Sequence, residues 1–69
     1  MPYGATISPD LSKFAVQYNE KNEIAIYSIY KKLLNVLKGH TMALNGIKFL
    51  DEKTIISFSP AEILIWKLK

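Results

Sequence analysis

The chain has no cysteine. That excludes a disulfide staple, a thiolate metal site and a cysteine nucleophile. There is one histidine, His40, so a structural zinc site has too few ligands. The three glycines, Gly4, Gly39 and Gly46, stand alone, which leaves no glycine-rich phosphate loop. No apolar run approaches the roughly 18 residues of a membrane-spanning helix. Met1-Pro2-Tyr3-Gly4 has neither the basic start nor the apolar stretch of a signal peptide. The expectation is a cytoplasmic or nuclear protein with no cofactor and no bound metal.

What is present is a short, apolar chain. At 69 residues it is one domain at most. A chain of this size buries only about 60% of the surface its unfolded form exposes, so its stability is marginal without further protein to pack against. A hydrophobic share of 49% argues against disorder. The net charge of +3 is mild, and its densest set is Lys31, Lys32 and Lys38. Nucleic-acid contact is open on charge grounds, but a solvated outer strand explains the same lysines.

The chain also repeats itself. Lys13 and Lys53 lie 40 residues apart, and Tyr27 and Trp66 lie 39 apart, with similar short strand-like runs between. A period near 40 residues is the mark of stacked sheet units, none of which can bury both faces alone. The expected strands are 3–8, 13–18, 23–30, 33–37, 44–49, 54–58 and 62–68. The expected turns are Ser8-Pro9-Asp10, Asn19-Glu20-Lys21-Asn22, Lys31-Lys32, Lys38-Gly39-His40, Asp51-Glu52 and Ser59-Pro60-Ala61, where Pro presets φ and Asn or Asp tolerates tight backbone. Segments 24–27 and 63–66 are apolar at nearly every position, as in strands covered on both faces. The chain is too short to supply that cover, which implies missing neighbours. A competing pattern runs through Ile26, Tyr30, Leu33, Leu34 and Leu37, one stripe of a basic amphipathic helix. Against it stand the β-branched and aromatic residues of 24–30 and the absence of an N-cap.

These residues resemble the WD-repeat (tryptophan–aspartate) β-propeller family. Ala5-Thr6-Ile7-Ser8-Pro9-Asp10 is similar to the end of that repeat's first strand. The run Lys32 to Thr41, with Gly39-His40 in it, resembles the outer strand and the Gly-His step, and Ile65-Trp66 resembles the end of the third strand. The resemblance implies an all-β fold of antiparallel four-stranded propeller blades, about two of them in an incomplete propeller. Residues 1–38 form a first repeat without its Gly-His start, and 39–69 a second without its outer strand. It also implies a buried network of Trp66, Ser57 and His40. The family's turn aspartate is replaced by Pro60, so no carboxylate is expected to orient His40, and Glu62 is expected to point elsewhere. Tyr27 stands in the first unit for Trp66, and Val16 for Ser57.

The chemistry available for catalysis is thin. His40 is the one candidate general base, Ser57 and Thr41 are the nearest nucleophiles, and no carboxylate is placed to complete a triad. Asp10, Asp51 and Glu52 read as turn residues. Tyr3, Tyr18, Tyr27 and Tyr30 beside Lys31 and Lys32 mimic a nucleic-acid platform, yet at strand spacing they fill space between sheets. The expected function is therefore a non-catalytic protein-interaction or scaffold module, not an enzyme. Its partners are other proteins or further propeller blades, through self-association or within a larger parent chain. By the resemblance, its contact loops hold Asn19, Glu20, Thr41, Met42, Ala43, Ser59 and Pro60. The alternative is a small basic β-domain or amphipathic segment that binds nucleic acid or a membrane surface. On the first reading the isolated chain is not a stable monomer, because its open sheets expose long edges.

Overall fold

The structure, a computed structural model, describes residues 5–18 and 22–69. Asn19 and Glu20 of the expected contact loop, Tyr3, and the start of the first expected strand lie outside the described residues. The fold is all-β, with no helix among the described residues. Among the described residues there are seven strands: β1 (Ala5–Ile7), β2 (Lys13–Gln17), β3 (Ile24–Ser28), β4 (Leu33–Leu37), β5 (Gly46–Asp51), β6 (Thr54–Phe58) and β7 (Ile63–Lys67). They form two antiparallel sheets, β1-β2-β3-β4 and β5-β6-β7, each a plain meander that does not close on itself. The amphipathic-helix pattern over 26–37 is instead a hairpin. Ile26 pairs with Asn35 and Tyr27 with Leu33 across a bulge, so the stripe is divided between two strands.

Local chemistry sets where the strands stop. Ser8 and Asp10 close the first turn: Ser8 and Ser12 hydroxyls both donate to Asp10 Oδ1 at 2.7 Å, and Leu11 takes a φ of 62°. β3 ends two residues before the expected boundary because Ser28 captures the chain. Its Oγ accepts the N–H of Tyr30 (3.2 Å) and of Lys32 (3.1 Å), and the three-residue loop closes with Lys31 at φ 70°. β5 starts later and ends later than expected. Leu44 stays buried ahead of it, and Asp51 ends it paired with Thr54 across a bulge. The turn expected at Asp51-Glu52 therefore moves to Glu52-Lys53, with Asp51 Oδ1 accepting Lys53 N–H at 2.8 Å.

The two sheets pack face to face. Ala15, Ile24, Ile26 and Leu37 of the first meet Ile47, Phe49 and Ile55 of the second, with Leu44 from the connection and Trp66 and Leu68 against the cluster. Two polar ties join the sheets: Thr6 Oγ1 accepts Phe49 N–H at 3.3 Å and Gln17 Oε1 accepts Leu44 N–H at 3.4 Å.

Side chains alternate across a strand, so each sheet has a second face. On the first sheet it carries Ile7, Phe14, Val16 and Tyr27, where Phe14 and Tyr27 stack at 5.4 Å between ring centroids. On the second it carries Ile56, Phe58, Ile63 and Ile65, with Phe58 lying over Gly46, where a Cβ would come within 2.5 Å of Phe58 Cζ. The expectation of cover on both faces holds for β3, whose Ile24, Ala25 and Ile26 are all buried. It fails for β7, where Ile63 is 70% and Ile65 61% exposed. No helix among the described residues is long and apolar enough to cross a membrane.

Ile55 is fully buried at the centre of the sheet contact, whereas Leu50 is 53% exposed. Ile55→Ala is expected to lower unfolding free energy by about 2–5 kcal/mol through lost burial and the cavity left behind. Leu50→Ala is expected to change it by no more than about 0.5 kcal/mol. Urea midpoints at one fixed protein concentration check both.

Candidate functional site

Between β4 and β5 the chain turns through Lys38-Gly39-His40 and passes over the indole of Trp66. Gly39 suits this close approach, because a Cβ there would lie 3.1 Å from Trp66 Cη2, tighter than ordinary contact. The turn delivers His40 into the protein, 6% exposed, beside the fully buried Ser57 of β6. His40 Nε2 lies 2.6 Å from Ser57 Oγ, and Trp66 Nε1 donates to the same oxygen at 2.8 Å. His40 Nδ1 lies 3.1 Å from Glu62 Oε1. The imidazole and indole are tilted at 52° with centroids 6.3 Å apart.

Donor inventory orders this chain. The indole N–H can only donate, and an ionised carboxylate can only accept. With the imidazole neutral, Trp66 donates to Ser57, Ser57 to His40 Nε2, and His40 Nδ1–H to Glu62. Every bond points the same way, and the carboxylate is the sink. Glu62 also accepts the Ser59 hydroxyl at 2.8 Å, Thr41 N–H at 3.3 Å and the Thr41 hydroxyl at 3.2 Å. These donors, Ser59 first and His40 second, hold its pKa at about 2, below the ordinary 4.5. Among the described residues no buried side-chain nitrogen or oxygen lacks a partner.

The carboxylate corrects two expectations at once. Glu62 does not point elsewhere, and His40 does have a carboxylate to orient it. The cause is the two-residue turn Pro60-Ala61. Ser59 N–H donates to Glu62 O at 2.9 Å, and Ser59 Oγ accepts the N–H of Ala61 (3.2 Å) and Glu62 (3.3 Å). This folds the Glu62 side chain back over residues 40 and 41. A signal was present in the spacing Ser59-x-x-Glu62, where each side chain can serve the other. That pattern is usually read as a helix start, and here a strand follows.

The remaining expected contact residues fall into two groups. Thr41 and Ser59 converge on Glu62, and Ser59 is buried. Met42, Ala43 and Pro60 are exposed beside them. Of the expected aromatic platform, Tyr27 is committed to Phe14, Tyr18 is exposed at the end of β2, and Tyr30 projects from a turn, 91% exposed. Lys31, Lys32 and Lys38 are exposed, Lys38 standing 4.0 Å from Glu23.

A serine, a histidine and a carboxylate in line have the connectivity of a hydrolytic triad. Here the Ser57 oxygen is fully buried and already accepts the indole N–H, so its environment is that of a structural hydroxyl. Among the described residues no three potential metal ligands gather. A cleft of about 400 Å³ opens at the other end of the sheet contact, with Lys13, Lys67 and Lys69 on its rim and Ile26 and Leu68 on its floor. No protein-family model matches the chain, and no curated protein matches it.

Removing the shared oxygen strands two partners. Ser57→Ala is expected to cost about 1–3 kcal/mol, the penalty for buried polar groups left unpaired, read as a lower urea midpoint. Glu62 sets a pH dependence. Its folded pKa is depressed, so its contribution is full above about pH 4.5 and is lost as pH falls toward about 2. Asp10, held at about 2 chiefly by the Ser8 hydroxyl, adds to the same acid limb. Glu62→Gln is expected to make that loss shallower, leaving the part due to Asp10 and to Asp51, whose pKa the Lys53 N–H also lowers, in unfolding curves taken across this window.

Proposed function

We propose that the chain is a non-catalytic protein-interaction or scaffold module, built as about two divergent blades of a WD-type β-propeller and working in the cytosol or nucleus. The observation that carries this reading is the destination of the hydrogen-bonded chain. Trp66, Ser57 and His40 are spent on fixing Glu62. Glu62 in turn ties the loop after β4, through Thr41, to the turn between β6 and β7, through Ser59. Polar groups worth that much order serve to hold backbone still, and what they hold still is the surface formed by Met42, Ala43 and Pro60. A loop fixed before binding loses little freedom when a partner arrives, which is how a small surface gains affinity. The position of Glu62 in this network matches the role of the aspartate in the resembled repeat, although it comes two residues later in the chain.

A second reading, binding of an anionic partner, draws on the lysine-rimmed cleft. It is the weaker one, because Lys13 lies within electrostatic reach of Asp10 and Lys67 within reach of Asp51.

Photo-crosslinking side chains placed at Met42 and at Pro60, with the exposed turn residue Glu52 as a control site, separate the two in cells. The proposal expects one and the same protein to be captured from both loop positions, not from position 52, and to be lost when Glu62→Gln is added. Capture no different from the control, together with steeply salt-dependent binding of duplex DNA, RNA or anionic vesicles, would replace it with the second reading.

A further inference from the structure

The two sheets are copies of one pattern, and their registers show which residues correspond. In the β2–β3 hairpin Phe14 pairs with Tyr27, Ala15 with Ile26, Val16 with Ala25 and Gln17 with Ile24. In the β6–β7 hairpin Ile55 pairs with Trp66, Ile56 with Ile65, Ser57 with Leu64 and Phe58 with Ile63. Rung by rung, Ile24 corresponds to Ile63, Ile26 to Ile65 and Tyr27 to Trp66. The innermost strands follow the same rule: Ile7 opposes Phe14 as Phe49 opposes Ile55.

Corresponding residues differ in what covers them. Ile24 and Ile26 are 0% and 1% exposed, because the second sheet lies on them, while Ile63 and Ile65 are 70% and 61% exposed. Phe49 is 4% exposed against the first sheet, while its counterpart Ile7 is 48% exposed. So the contact inside the chain joins the Phe49–Ile55–Trp66 face of one sheet to the Ile24–Ile26 face of the other. The molecule's two bare faces are the missing halves of that contact: the Ile7–Phe14–Tyr27 face on one side and the Ile63–Ile65 face on the other. They are unlike, both apolar at the centre, and shaped on the same strand pattern as surfaces already joined within the chain. Lys48 and Lys67 flank the second face, where long aliphatic stems can lie along an interface and keep their charge in water.

We infer that the partner for these faces is a second copy of this chain, docked head to tail, with the Ile7–Phe14–Tyr27 face of one copy on the Ile63–Ile65 face of the next. The interface is heterologous: different patches meet, so each copy keeps one face free to continue the series, which ends only if the rotation closes a ring. This deepens the proposed scaffold role and rests on it for function, but not for geometry. Repeating the internal contact buries the apolar centres of both bare faces. It also stacks the loop surfaces of successive copies along one side, as the loops of the two sheets are stacked within the chain.

The test uses two variants of the full chain, Ile7→Glu, which spoils the first face, and Ile65→Glu, which spoils the second. Mass is read by light scattering behind size exclusion, with circular dichroism on the same fractions. The wild type is expected to grow in mass with concentration. Each variant alone is expected to stay at the monomer mass, and an equimolar mixture to give a species of twice the monomer mass and nothing larger, since each supplies the face the other lacks. A wild type that remains monomeric up to millimolar concentration would overturn the inference. So would self-association that one variant retains and the other loses, which means like faces pair. If a glutamate variant loses its β-sheet signal, Ile7→Thr and Ile65→Thr replace the pair, with at least a tenfold weaker association expected for each alone. A monomer that still captures a protein at Met42 and Pro60 fails only this inference. An assembly that captures nothing there fails only the proposed function.

Discussion

A thin sheet has two faces, and a chain of this length can cover one face of each of its two sheets with the other. That constraint organises the molecule. The covered faces carry the core, from Ile24 and Ile26 on one side to Phe49 and Ile55 on the other. The other faces are also apolar, and no described strand lies over them, which leaves Ile63 and Ile65 in water. Burial rather than hydrogen bonding is what the fold runs short of: within each sheet the ladders are complete along the paired strands, but the apolar surface they organise exceeds what the chain can hide.

The polar network answers a different need. Two of the segments that join strands, at 38–45 and 59–62, would be free to move if only apolar contacts held them. Trp66, Ser57, His40 and Glu62 pin them with bonds that all run toward one carboxylate. Because that carboxylate gathers four donors, three from Thr41 and Ser59 and one from the imidazole, it acts as the keystone of the loop side. The cross-sheet ties from Thr6 and Gln17 add two polar bonds between the sheets.

Much of this was legible in the residues. Alternating β-branched and aromatic positions located all seven strands, with β4 and β6 at their observed bounds, because in those segments periodicity and turn chemistry agree. Ends drifted where a serine side chain intervened, as at Ser28, since whether a hydroxyl will take backbone N–H groups depends on the loop geometry it meets. The gathering of His40, Ser57 and Trp66 followed from a family resemblance. Glu62 did not, because its part depends on a hairpin turn reversing the chain, and two residues of displacement along the sequence vanish once Pro60-Ala61 bends it back. The difference in cover between Ile24 and Ile63 was hidden for another reason: the two segments read alike, and only packing distinguishes a buried isoleucine from a bare one.

In both meanders every strand pairs with its neighbour in sequence. Each hairpin therefore closes over a handful of residues, a short search for a chain to make. The single demanding step is the docking of β5 against β1, which brings Phe49 to Thr6 from across the whole first sheet. Folding thus divides into two quick local events and one slow meeting of finished halves. Until that meeting, all four faces are sticky, and the same surfaces that recognise one another within a chain are offered to any other chain that happens to be folding nearby.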